Sequence, residues 1–111
     1  MKTSNYGSVK ILDTGISEPI DTQNKKLCSL IFPSGLTSST FGFKVSIDTG
    51  ITYEDYYIPG EKDITTTIET TMKGTCVPIG IGDFYGCDYV KIVLNDVADE
   101  NKVFQYKLMD I

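Results

Sequence analysis

Apolar and polar residues alternate along much of this chain with a period of two. In TFGFKVSID, Phe41, Phe43, Val45 and Ile47 fall on one side, with Gly42, Lys44, Ser46 and Asp48 on the other. A strand with one buried face has this period. In DYVKIVL, Val90, Ile92 and Leu94 alternate with Tyr89, Lys91 and Val93, and in KVFQYKLM the set is Phe104, Tyr106 and Leu108. These residues, from Phe41 to Leu108, are the expected core. KDITTTIETTM places Ile64, Ile68 and Met72 on a face with Thr66 and Thr70. Threonine is β-branched and suits a pleated surface, so residues 64–72 are expected to form one long strand near a sheet edge. Residues 8–13, 25–32, 51–58 and 75–79 are weaker strand candidates. No window keeps the i, i+3, i+4, i+7 spacing of an amphipathic helix between cap signals.

The result is about eight short strands separated by turn signals, the pattern of an all-β antiparallel sandwich or barrel. The turn signals lie at 48–50, 58–63, 72–75, 80–86 and 95–101, where Gly, Asp and Asn cluster. Polar residues 1–7 read as an N-terminal arm and residues 17–25 as a loop. A length of 111 residues fits one domain, 1–111.

Composition narrows the function classes. A hydrophobic share of 41% allows a core. The net charge of −5 and the scattered basic residues argue against nucleic acid, which needs a concentrated Lys/Arg face. No run of about 18 apolar residues exists to span a membrane. The first residues carry no apolar stretch after Lys2, so the chain is expected to be made and used without Sec export. Cys28, Cys76 and Cys87 are odd in number and match no zinc spacing. A Cys76–Cys87 bridge is conceivable, but the expected state is three free thiols in a reducing compartment. Histidine is absent. No Ser-His or Cys-His nucleophile can be built, and the commonest transition-metal ligand is missing.

The stretch IGIGDFYGCDYVKIVL raises the question of a phosphate loop through Gly80, Gly82 and Gly86. Such a loop needs a helix after its glycines, whose N-terminus holds the anion. Here DYVKIVL follows, which reads as a strand, and no Gly-Lys-Ser/Thr is present. The stretch is expected to be a loop and a strand, with no cofactor.

Laid end to end, the segments DTGISEPID (13–21), LCSLIFPSGLTSSTFGFKVSIDTGITYEDYY (27–57) and VPIGIGDFYGCDYVKIV (77–93) resemble a family of small all-β virion proteins of tailed bacteriophages. The resemblance covers residues 9–109 and rests on the order and spacing of short matches. It implies a jelly-roll-like β-sandwich serving as a head decoration protein, a head-fibre base, or a neck or tail component. The chain would then sit in the virion, in many copies, after assembly in the host cytoplasm. The family offers no catalytic residue to carry over. The longer turn at Asp48, Thr49 and Gly50, the long Thr-rich segment and the three cysteines depart from its pattern and leave the attachment surface open.

Candidate chemistry is sparse. Acidic residues gather in turns, and residues 96–101 lack the spacing of a calcium loop; solvated turns account for them, with a calcium ion between two loops as the alternative. Glu54/Asp55 and Asp83/Asp88 are the carboxylate pairs to weigh for glycoside hydrolysis, and nothing in their spacing sets them across a cleft. No catalytic residue is assigned and the chain is read as a non-enzyme. Aromatic residues in loops and threonines on an edge strand are the candidate partner contacts: Tyr56, Tyr57, Phe84, Tyr85, Thr65 and Thr67. Of Phe84 and Tyr85, one is expected to plug the core and the other to face a partner. The expected partners are capsid or other virion proteins in a homo-oligomeric or multi-copy lattice. The alternative is a carbohydrate-binding sandwich, which the lack of Trp weakens.

Overall fold

A computed structural model describes residues 4–56, 65–78, 84 and 86–110. Among these residues, nine strands form two antiparallel sheets: β1 Ser4–Lys10, β2 Ile20–Asp21, β3 Lys25–Ile31, β4 Thr40–Ser46, β5 Glu54–Asp55, β6 Thr65–Thr67, β7 Cys76–Pro78, β8 Tyr89–Leu94 and β9 Val103–Asp110. One sheet has the order β1-β9-β3-β7 and the other β2-β8-β4-β5, with β6 also on β4. The fold is all-β, as the period of two predicted.

The topology is that of one long hairpin wound into two layers. β1 pairs with β9, β2 with β8, β3 with β7, and β4 with β5 and β6, all antiparallel. Successive nested pairs lie in alternate sheets, and the β3–β9 and β4–β8 pairings close each sheet. This is the jelly-roll arrangement. The strand beyond the expected eight is β2, in the segment read as a loop; the two strands expected over 51–58 and 64–72 both lie beside β4. β5 meets Lys44 and Val45, and β6 meets Thr40, Phe41 and Gly42.

The inner faces supply one core. Val90, Ile92 and Leu94 of β8 lie in register with Val45, Phe43 and Phe41 of β4. Across the sandwich they meet Phe104, Leu108, Leu27 and Leu30. Phe32 joins the layers, its ring edge-on to Phe41 at 5.1 Å and to Phe104 at 4.9 Å. Tyr106 also faces inward, opposite Gly7 on β1. A Cβ at Gly7 would stand 2.4 Å from the Tyr106 ring, so only glycine lets that ring lie across the strand.

Several expectations are corrected. Ile47, assigned to the core, is 78% exposed. β4 ends at Ser46, and the chain turns before the alternation can continue. The arm expected over residues 1–7 is a strand from Ser4 onward, paired along its length with β9; residues 1–3 lie outside the described part. The loop expected over 17–25 contains β2 and the first residue of β3. The long strand expected over 64–72 is short. β6 ends at Thr67, Ile68 turns inward and donates its N–H to Ser39 O at 2.8 Å, and Thr70–Met72 form a 3₁₀ turn. The strand expected over 51–58 is limited to Glu54–Asp55 within the described residues.

Candidate interaction surface

The two ends of the sandwich are built differently. At one end, residues 95–99 strap the chain that leads into β4. Asp99 is fully buried. Its Oδ1 accepts from the Thr37 N–H at 2.8 Å and the Thr37 hydroxyl at 2.9 Å, and its Oδ2 from the Ser38 N–H at 2.8 Å. Burial alone would raise this carboxyl. The hydrogen bonds from Ser38 and Thr37 outweigh burial and hold it below its ordinary value. Asn95 Oδ1 accepts from the N–H groups of Ser39 and Thr40, and the Asp96 N–H donates to Ser38 Oγ. This end is a structural clamp.

At the opposite end, three turns meet: 22–24, 47–53 and 86–88. The β4–β5 turn is cross-bonded throughout. Asp48 Oδ1 accepts from Ser46 Oγ at 2.7 Å and from the Thr52 N–H at 3.0 Å, while Oδ2 accepts from the Thr52 hydroxyl. Ser46 Oγ in turn accepts from the Gly50 N–H at 2.8 Å. Bonds from Thr52 and Ser46 lower the Asp48 carboxyl to about 2. Asp88 anchors the neighbouring turn: its N–H donates to Ser46 O at 2.7 Å, and its Oδ2 accepts from the Thr49 N–H at 2.8 Å. Thr22 completes the junction by donating its hydroxyl to Cys87 O at 2.8 Å. Thr49 at φ +59° and Gly50 at φ +89° make the reversal. From this braced turn Ile47 and Ile51 project, 78% and 79% exposed. A recess of about 550 Å³ at the same junction is lined by Asn24, Thr49 and Cys87.

The Cys87 thiol is pushed up by burial and by the Asp88 carboxylate, which disfavours its thiolate form. The Asp48 and Asp99 carboxyls both shift downward, opposite to what a general acid requires. Among the described residues, no three Cys, Asp or Glu side chains converge as a metal site would need. Glu54 and Asp55 are successive strand residues on opposite faces, and Asp55 pairs with Lys44 at 2.8 Å. Asp83 lies outside the described residues.

The aromatic candidates separate. Phe84 is the plug: it is 3% exposed, and its ring packs against Phe43 at 4.7 Å and Tyr56 at 4.5 Å. Tyr56 is half-buried, and its hydroxyl accepts the Phe84 N–H at 3.3 Å. Both therefore brace the β7–β8 connection. Tyr57 and Tyr85 lie outside the described residues. Thr67 is exposed on the edge strand β6, and the Thr65 backbone pairs with Gly42. Tyr53, half-buried, has the Lys91 ammonium 4.1 Å from its ring centre, so one face is already covered. Sequence reasoning missed Ile51 and misassigned Ile47; the signal for both was the Asp-Thr-Gly turn that ends the alternation.

The three cysteines are free thiols. Cys76 is exposed on β7, Cys28 sits at the bulge of β3, and Cys87 is half-buried. A native thiol titration is expected to label Cys76 first and Cys87 last, with three labels per chain after denaturation without reductant. Fast native labelling of Cys87 would contradict its protonated, shielded state.

Comparison with family models, with curated proteins and with solved structures gives no match.

Proposed function

We propose that this chain is a non-enzymatic structural protein that docks through the turn end of its sandwich, as a multi-copy component of a tailed-phage particle. The observation that carries the docking role is the pair Ile47 and Ile51, exposed on a turn whose polar groups are bonded to one another and to Asp88. Large apolar side chains on a braced loop lose little entropy on binding, which favours contact with another protein. The virion assignment draws on the jelly-roll topology together with the sequence resemblance; the fold alone hosts many functions.

The test is co-sedimentation of the tagged chain with particles from cells that make it, run beside glycan-array binding. Stoichiometric co-sedimentation with no glycan signal is expected. The double variant Ile47→Asp, Ile51→Asp should stay within about 0.5 kcal/mol of the parent in stability, as surface changes do. It should release from particles about tenfold more readily or worse. A glycan signal without particle binding would overturn the proposal in favour of a carbohydrate-binding sandwich.

A further inference from the structure

Among the described residues the two sheets have four edges, and three of them are protected. β2 is two residues long, β7 is three and ends in Pro78, and the edge beside β4 is broken between β5 and β6. Short edges, proline and interruption are the usual guards against strand pairing. β1 differs. It runs for seven residues as an edge strand with no proline, and its register with β9 is unbroken.

The hydrogen-bond parity of β1 locates its open part. The Lys10 N–H donates to Glu18 Oε1 at 3.0 Å, and Lys10 O accepts the Glu18 N–H at 3.0 Å. Lys10 therefore points its backbone away from β9, whereas Ile11 bonds to Lys102 and Asn101 on the β9 side. Alternation along an antiparallel strand then turns the N–H and C=O of Ser4, Tyr6 and Ser8 outward, with Asn5, Gly7 and Val9 facing β9. Among the described residues nothing meets these outward groups, and Glu18 closes the edge beyond Ser8. The open stretch carries no charge; the first charged residue on the strand is Lys10. Tyr6 is 76% exposed, with the Lys107 ammonium 5.4 Å from its ring centre.

We infer that β1 pairs with β1 of a second copy of this chain, antiparallel about a two-fold axis at Tyr6, joining the two β1-β9-β3-β7 sheets into one. The open stretch is self-complementary in that register. Tyr6 meets Tyr6 of the other copy, and Ser4 meets Ser8, so every outward backbone group finds a partner. The Glu18 segment of each copy lies beyond the paired stretch. Residues 4–8 bring no charge to the pairing. A second copy is favoured over another strand because the open length, its parity and its stop at Glu18 are all satisfied by the same five residues read in reverse. The inference concerns self-association and does not depend on what Ile47 and Ile51 contact.

The contact is small, so the dimer is weak and calls for a wide concentration range. Sedimentation equilibrium of the full chain up to about 1 mM is expected to show a monomer–dimer equilibrium. Ser8→Pro removes an outward donor and leaves the β9 ladder intact, and should weaken self-association about tenfold or more. If Ser8→Pro does not fold, Tyr6→Lys sets like charges face to face at the axis and should act in the same direction. Mild oxidation of Tyr6→Cys should give a covalent dimer, because facing residues of a hydrogen-bonded pair lie within disulfide reach. Ser8→Cys and the parent, treated alike, should not. A parent that stays monomeric to about 1 mM overturns the inference. So does a folded variant that associates like the parent, or a Tyr6→Cys chain that fails to cross-link.

Discussion

Replacing Phe32 by alanine is expected to come close to unfolding this protein. Phe32 lies just beyond β3, buried to 1% exposure, and its ring is the shared partner of Phe41 in one sheet and Phe104 in the other. Truncation opens a cavity where the two layers meet, and neither sheet can close it without breaking its own ladder. The loss should be about 3–5 kcal/mol, the usual range for a buried phenylalanine. Domains of this size have only about 5–15 kcal/mol in total. The melting temperature should fall by about 12–20 °C at roughly 4 °C per kcal/mol. Phe32→Leu keeps most of the volume and should cost less than half as much. Thermal melts of the three proteins decide the matter; equal losses for Ala and Leu would mean that the site does not join the layers.

The second large effect is expected at Asp99. Asp99→Ala removes the acceptor from the buried Ser38 N–H and from the part-buried Thr37 N–H and hydroxyl. Each unsatisfied donor costs about 1–3 kcal/mol, so a loss of about 3–5 kcal/mol is expected. The clamp also sets a pH dependence. The folded Asp99 pKa is depressed, so its stabilisation is fully present above the unfolded value of about 3.9 and is lost as pH falls through the lower folded value. Urea midpoints of the parent should therefore decline below about pH 4. Asp99→Asn should start lower and decline less steeply, because the amide does not titrate. Parallel decline of both proteins would assign the acid sensitivity elsewhere.

How far the fold was legible depended on what each strand faced. β8 and β9 were read correctly because each has one buried and one solvated face, and Val90, Ile92, Leu94, Phe104 and Leu108 mark the buried one. β1 was read only from Ser8 onward, as the weak candidate 8–13, because the inward position opposite Tyr106 is Gly7, so the apolar period has a gap where the neighbouring strand supplies the filling. β2 is too short to show a period. The Thr-rich segment kept its β propensity past Thr67, but tertiary contact of Ile68 with Ser39 and the core ended the strand. Ile47 continued the alternation numerically after the sheet had stopped, and periodicity carries no mark for that boundary. Asp99 was read as one more acid in a polar turn; its burial depends on Thr37 and Ser38, about sixty residues away, which local pattern cannot reach.

The nesting of the chain also governs the order in which it can fold. β9 lies between β1 and β3, yet it is made after both. Until residues 103–110 leave the ribosome, β1 has no strand beside it and β3 is paired on the β7 side alone. The first sheet therefore cannot close before β9 has been made, and this long-range closure is of the slow kind. A chain cut short before β9 keeps most of its sequence but exposes Val9, Leu27 and Leu30, the residues that β9 covers. Early termination of translation would thus give an aggregation-prone product rather than a weakened protein.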